Sequence, residues 1–301
     1  MVAAMLSTQV GNSFAKKLTD AMASPLGAVW VRLAFGGAML LLIALVRLLL
    51  RRAGKMADAQ TQPRSREQPR RAWAWAIAYG TVLVAMNSLF YEAIVRLPVG
   101  IVITIEFLGP LAVALLGSRR PIDFVWVALA ALGAVLLGVT PTPLTLAGVL
   151  FAVGAGACWA GYILLGSKTG QHWQGVGPLT GACVAGGIVL TPAFIADGNA
   201  ASLTWPTIGL GAAVALACTV LPYSLELQAL RHLPTGLFAI LESLAPAIGA
   251  LAAWIVLGEL LHFGDWLAIG CIVVASLGAT ISRRRRTTPQ VPAAPPQTAP
   301  R

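Results

Sequence analysis

Apolar stretches of about a bilayer's thickness, repeated along the chain, constrain this sequence more than any motif in it. Residues 26–46, "LGAVWVRLAFGGAMLLLIALV", and 149–166, "VLFAVGAGACWAGYILLG", are typical. A hydrocarbon layer of about 30 Å takes roughly 20 helical residues at 1.5 Å each. Charged residues make up only 11% of the chain, against about 25% in soluble domains, so too little polar surface exists to clothe a water-soluble globule. Backbone polar groups in lipid must be satisfied within the segment or in a closed barrel. The alternating pattern of a barrel strand is absent, so the spans are helices. The fold class expected is an all-α integral membrane protein.

The punctuation predicts ten helices, at about 1–19, 24–50, 72–95, 98–117, 121–140, 145–166, 176–196, 205–227, 234–257 and 264–282. Prolines in "ASPLG", "RLPVG" and "HLPTG" stand where a helix begins and its amide lacks a partner anyway. Residues 51–71 form a flexible loop, and 283–301 a basic, then Pro/Ala-rich, disordered tail. With both termini cytoplasmic, 16 of the 21 Lys and Arg fall on the inner side and three, Lys16, Lys17 and Arg96, on the outer. Arg32 and Arg47 lie within a span. That asymmetry sets orientation and accounts for the net charge of +10 without nucleic acid. Trp73, Trp75, Trp173, Trp205 and Trp266 sit near span ends, as an interfacial belt requires. The first helix is short and polar ("STQVGNS"), which reads as a start inside a longer helix. No signal peptide pattern precedes it. The cysteines Cys158, Cys183, Cys218 and Cys271 are small packing residues, and His172, His232 and His262 are too scattered for a metal site.

Sliding the chain along itself by 136 residues lays "AIVRLPVGIVITIEFLGP" (93–110) on "ALRHLPTGLFAILESLAP" (229–246). Glu106 and Pro110 then fall on Glu242 and Pro246. The chain is therefore two five-helix halves, 1–140 and 145–282. Five is odd, so the second half enters the membrane from the opposite side. Such inverted repeats characterise secondary transporters, which bind substrate near the midplane between the halves.

The segments "GIVITIEFLGPLAVALLGSRRPIDFVWVALAALG", "GAGACWAGYILLG" and "LPYSLELQALRHLPTGLFAILESLAPAIGALAAWIVLGE" resemble the EamA-type transporters of the drug/metabolite transporter superfamily. Among these they are most similar to exporters of threonine and homoserine. The resemblance implies a ten-helix exporter of small hydroxylated amino acids in the bacterial inner membrane, driven by an ion gradient, with protons the expected ion. Another metabolite of the superfamily is the alternative cargo. No functional residue is carried over from it, so the site is read from chemistry. The expected partners are an amino-acid substrate, protons and the bilayer, with a second copy of the chain as a candidate. No cofactor, metal or nucleic acid is expected. A membrane-embedded enzyme or a non-transporting scaffold is the remote alternative. An enzyme is not expected because neither HExxH nor GxSxG occurs and the carboxylates are not close-spaced along one helix.

Ionisable residues inside the spans are the candidate site. Glu106 lies eight residues after Pro98, about 12 Å along the axis, and Glu242 lies at the same depth after Pro234. A carboxylate at the bilayer centre costs about 2.5–3.5 kcal/mol. Either these two line the path, holding a substrate ammonium or a proton, or they cross-link neighbouring helices. Arg32 is too deep to snorkel. Either it grips the substrate carboxylate bidentately, or it is a counter-ion to Glu106 or another acid. Gly109, Pro110 and Pro246 are hinge candidates, because proline removes a helical bond beside each acid. Asn87, Tyr91, Tyr223 and Glu226 are second-rank substrate or proton contacts, as are Glu92, Trp159 and Tyr162. Interhelical hydrogen bonding explains these equally well. The spacings Gly156–Ala160 and Gly249–Ala253 read as close helix contacts.

Overall fold

The computed structural model describes residues 2–52, 69–97, 99–116, 121–138, 145–173 and 175–242, with scattered positions between 244 and 278. Among these residues every regular element is a helix. The helices are α1 (Val2–Ala21), α2 (Pro25–Arg52), α3 (Pro69–Ile94), α4 (Val99–Glu106), α5 (Leu108–Leu116) and α6 (Pro121–Gly138). They continue with α7 (Leu146–His172), α8 (Gly177–Ala196), α9 (Trp205–Ala215), α10 (Leu221–His232) and α11 (Thr235–Glu242). Five described stretches are long and apolar enough to cross a membrane: Pro25–Leu50, Arg70–Ile94, Leu146–His172, Gly177–Ala196 and Trp205–His232. From Leu41 to Leu50, α2 exposes an unbroken run of mostly apolar side chains, as a helix solvated by lipid can.

Local chemistry explains the boundaries. Pro25, Pro69 and Pro121 open their helices at the position where no amide hydrogen is needed. Thr145 caps α7 by accepting from the Gly148 amide at 3.3 Å. Gly198 follows α8 with φ 73°, the left-handed geometry that a glycine adopts without strain. Four expectations change. The span predicted at 98–117 divides at Phe107 into α4 and α5. Helical bonds persist around the break, Phe107 N–H to Ile103 O at 2.9 Å and Leu111 N–H to Phe107 O at 3.2 Å. The missing bond is the one Pro110 cannot donate to Glu106 O, so the span is kinked rather than unwound. The helix predicted to end at 166 runs on to His172, held by Thr169 Oγ1 donating to Trp75 O (3.2 Å). The span 205–227 extends to His232 and contains a π-helical turn, Leu216–Val220. Helices α2 and α3 reach residues 52 and 69, narrowing the expected 51–71 connection. Residues 53–68, the 283–301 tail, Pro246, Gly249–Ala253 and His262 lie outside the described residues.

Without a hydrophobic drive between helices in lipid, packing rests on small residues and polar contacts. Helix α3 packs most extensively on α7, and α2 on α8. Helix α4 leans on α7, while α1 leans on α9, the π turn and α10. The tightest approach is at the kink. A Cβ on Gly109 would lie 2.0 Å from Gly156 O, and one on Gly156 would lie 2.8 Å from Glu106 O. The small pair Gly156 and Ala160 is thus a close backbone contact, and it seats the kink of α4–α5 against α7.

Candidate functional site

Polar groups from seven helical segments converge on one cavity of about 100 Å³. A larger cavity, about 700 Å³, lies between α3 and α8, but Trp73, Ile77, Val84 and Val189 line it without a charged group. Chemistry rather than volume marks the smaller one as the site.

Arg32 enters it from α2, 4% exposed. Its anchor follows from a proline. Pro222 has no amide hydrogen to give the carbonyl four residues earlier, that of Cys218. That carbonyl accepts Arg32 Nη2 instead. Arg32 Nε donates to Thr219 Oγ1 (2.8 Å), and Nη2 also reaches Tyr223 Oη (3.1 Å). Tyr223 follows the π turn by three residues, and its hydroxyl reaches the same guanidinium as the Cys218 carbonyl. Tyr223 also presents its ring, 5.5 Å from centroid to Arg32 Cζ. No carboxylate among the described residues forms a direct ion pair with Arg32.

Three carboxylates share the wall. Glu106 stands at the end of α4, Glu242 at the end of α11 and Glu226 within α10, all buried. Glu226 Oε2 accepts the Tyr162 hydroxyl at 2.9 Å. Glu242 Oε1 is buried without a hydrogen-bond partner among the described residues. Arg32 and all three carboxylates line the same cavity. One guanidinium cannot neutralise three acids. If all were ionised, two buried negative charges would stand uncompensated, which burial makes costly. The arrangement therefore favours a cationic guest or protons.

Asn87 Nδ2 donates to Leu83 O (2.7 Å) and to Tyr223 Oη (3.2 Å). Asn87 and Tyr223 are 136 residues apart, the offset of the sequence repeat. The bounds of α4 and α11 coincide at that offset too, each helix ending at its glutamate. Trp159 lines the cavity, and the Tyr162 ring packs at a tilt between Tyr79 and Tyr223 with centroids 5.3 and 5.6 Å away.

Besides Tyr162, which meets the cavity only through Glu226, two second-rank residues do not line it. Tyr91 is buried beside Arg32 but does not line the cavity, and its hydroxyl has no hydrogen-bond partner among the described residues. Glu92 pairs with Arg96 at the surface, because four residues of helix put the two on one face. Gly109 and Pro110 lie directly behind Glu106 at the kink.

Sequence reasoning missed the part that α1 plays in the site. Thr8, Gln9 and Asn12 line the cavity, so the polarity of "STQVGNS" is that of a helix facing a wet site. The signal was present: positions 5, 8, 9 and 12 share one helical face.

Comparison with known proteins places these features in context. The EamA-like transporter family matches residues 146–281. The threonine/homoserine exporter RhtA of Escherichia coli K12 is 40% identical over 290 residues, 95% of this chain and 92% of its own length. RhtA of Salmonella typhimurium LT2 is 40% identical over 294 residues, 97% and 92%. The uncharacterized transporter YwfM of Bacillus subtilis is 28% identical over 236 residues, 74% and 79%. A crystal structure sharing 19% identity superposes with TM-score 0.71 over 94% of this chain and 96% of that one.

Proposed function

This chain belongs to the EamA-like transporter family, and from that premise we propose that it exports threonine and homoserine by proton-coupled alternating access. It is a multi-pass bacterial inner-membrane transporter, not an enzyme. Our reading places ten helices in two inverted halves, 1–140 and 145–282, with both termini, the 51–71 connection and the 283–301 tail in the cytoplasm. Two things support the inverted repeat: the matched helices α4 and α11, and the contact of Asn87 with Tyr223. Residues related by a two-fold axis can touch only near that axis.

One observation carries the reading: a single cavity holds a buried guanidinium and three buried carboxylates. A zwitterionic amino acid needs a fixed cation for its carboxylate and an anion for its ammonium. Arg32 supplies the first, positioned by Thr219, Cys218 O and Tyr223, with Tyr91 and Asn87 behind it. Glu106, Glu226 and Glu242 supply the second, and they take up protons when the ammonium leaves. Exchange of one for the other couples export to the proton gradient. Gly109, Pro110 and Pro246 hinge the segments that carry Glu106 and Glu242, turning the cavity from one face of the membrane to the other.

Counterflow of labelled threonine and homoserine in proteoliposomes tests the substrate, with a panel of other amino acids as comparison. Absence of threonine and homoserine exchange in active vesicles refutes the assignment, and exchange of another amino acid redirects it. Glu106→Gln should fold yet lose uphill export driven by a pH gradient. Retained uphill export would remove Glu106 as the proton carrier.

A further inference from the structure

The polar face of α1 is joined to the site by a relay whose direction can be worked out from one end. The carbonyl of Ala245 can only accept, so the group bonded to it at 2.6 Å must be Gln9 Nε2. That orients the amide and turns Gln9 Oε1 the other way. Gln9 Oε1 in turn can only accept, so Asn12 must present Nδ2 to it, at 2.9 Å. Asn12 Oδ1 is left over, a full amide acceptor on a cavity-lining residue. Among the described residues its one neighbour of suitable type is the Cys218 thiol at 3.9 Å, a weak donor. One turn earlier, Thr8 gives its hydroxyl hydrogen to Ala4 O (3.1 Å), so Thr8 also turns only lone pairs to its surroundings. Asn12 Oδ1 and the Thr8 hydroxyl oxygen are thus acceptors without a strong donor among the described residues.

Arg32 and the carboxylates account for the charged ends of an amino acid, but those ends are common to all amino acids and cannot select among them. Asn12 stands on the wall that links them. Cys218, whose carbonyl holds Arg32, lies against Asn12, and Gln9 reaches Ala245 three residues beyond Glu242. We infer that Asn12 Oδ1, oriented through Gln9 by the Ala245 carbonyl, accepts the side-chain hydroxyl of the substrate and so sets the preference for hydroxylated amino acids. This inference rests on the exporter reading above and deepens it. A wall built to bond a hydroxyl rejects the analogue that lacks one, because its acceptor is then left unpaired.

Threonine and 2-aminobutyrate differ by that hydroxyl alone, which makes their ratio the readout. Counterflow in proteoliposomes should show wild type preferring threonine. Asn12→Ala should reduce the preference about tenfold, the scale of one hydrogen bond, mostly through weaker threonine exchange. Asn12→Ser gives its hydrogen to Gln9 and keeps a shorter acceptor, so it should fall between, and it serves if the alanine variant does not fold. Gln9→Leu releases the amide of Asn12 and should lower the preference as well. A ratio within twofold of wild type in folded Asn12→Ala or Asn12→Ser overturns the assignment while leaving the exporter reading intact. Wild type that exchanges neither amino acid overturns both.

Discussion

Replacing Arg32 by lysine tests the binding chemistry most directly, because the charge survives and the geometry does not. Arg32 uses Nε on Thr219 Oγ1 at 2.8 Å and Nη2 on Cys218 O and Tyr223 Oη. With Nε and both hydrogens of Nη2 committed to the wall, the guanidinium plane is fixed and Nη1 is the nitrogen left to donate to a carboxylate. A lysine ammonium is a point donor on a flexible stem and cannot satisfy the wall and a guest together. Losing one charge-assisted bond to the substrate carboxylate costs about 1.5–3 kcal/mol, which is roughly 10- to 150-fold in affinity at 1.4 kcal/mol per decade. Counterflow should therefore show the threonine half-saturation concentration rising by about that range. Stability alone would not separate this from a structural role, so the comparison includes threoninol, the analogue without a carboxylate. Wild type should discriminate strongly against threoninol, and Arg32→Lys should lose most of that discrimination. If Arg32→Lys keeps both the wild-type half-saturation value and the threonine-to-threoninol ratio, Arg32 is a scaffold residue and the carboxylate is held elsewhere.

Gly109→Ala should lower the unfolding midpoint in detergent. Its Cβ would fall 2.0 Å from Gly156 O, and backbone cannot move aside as a side-chain tip can, so a loss of about 1–3 kcal/mol or more is expected. Tyr162→Phe removes the 2.9 Å bond to Glu226 Oε2 and should weaken threonine exchange about tenfold, the low end for a hydrogen bond to a charged group. The threonine-to-threoninol ratio should stay at the wild-type value there, because Tyr162 stands on the ammonium side. A changed ratio with unchanged exchange would reverse that assignment.

The helical spans were legible because they answer to the solvent. Any stretch crossing lipid must be apolar for about 20 residues and must close its own hydrogen bonds, whatever it packs against. The five described spans long enough to cross a membrane all lie where punctuation put them, with ends shifted by a few residues. The candidate polar residues Glu106, Glu226, Glu242, Arg32, Asn87 and Tyr223 were legible for the same reason, since a charge or amide in lipid stands out against its neighbours, and the structure brings all six to one cavity. The break at Phe107 was half legible: Pro110 announced a lost bond, while its seat against Gly156 depends on another helix.

What one dimension could not say is which polar groups meet. Arg32 read alone was open between substrate ligand and counter-ion to an acid. Its partners turn out to be a threonine, a carbonyl and a tyrosine some 190 residues away, none of them an acid. The polar start of α1 looked like a defect of length, and only its contacts with Ala245 and Cys218 reveal a wall of the site. Spans are decided by each segment's free energy in lipid, which the residues of that segment determine. A site is decided by hydrogen bonds between segments far apart in the chain, and those exist only once the helices have packed.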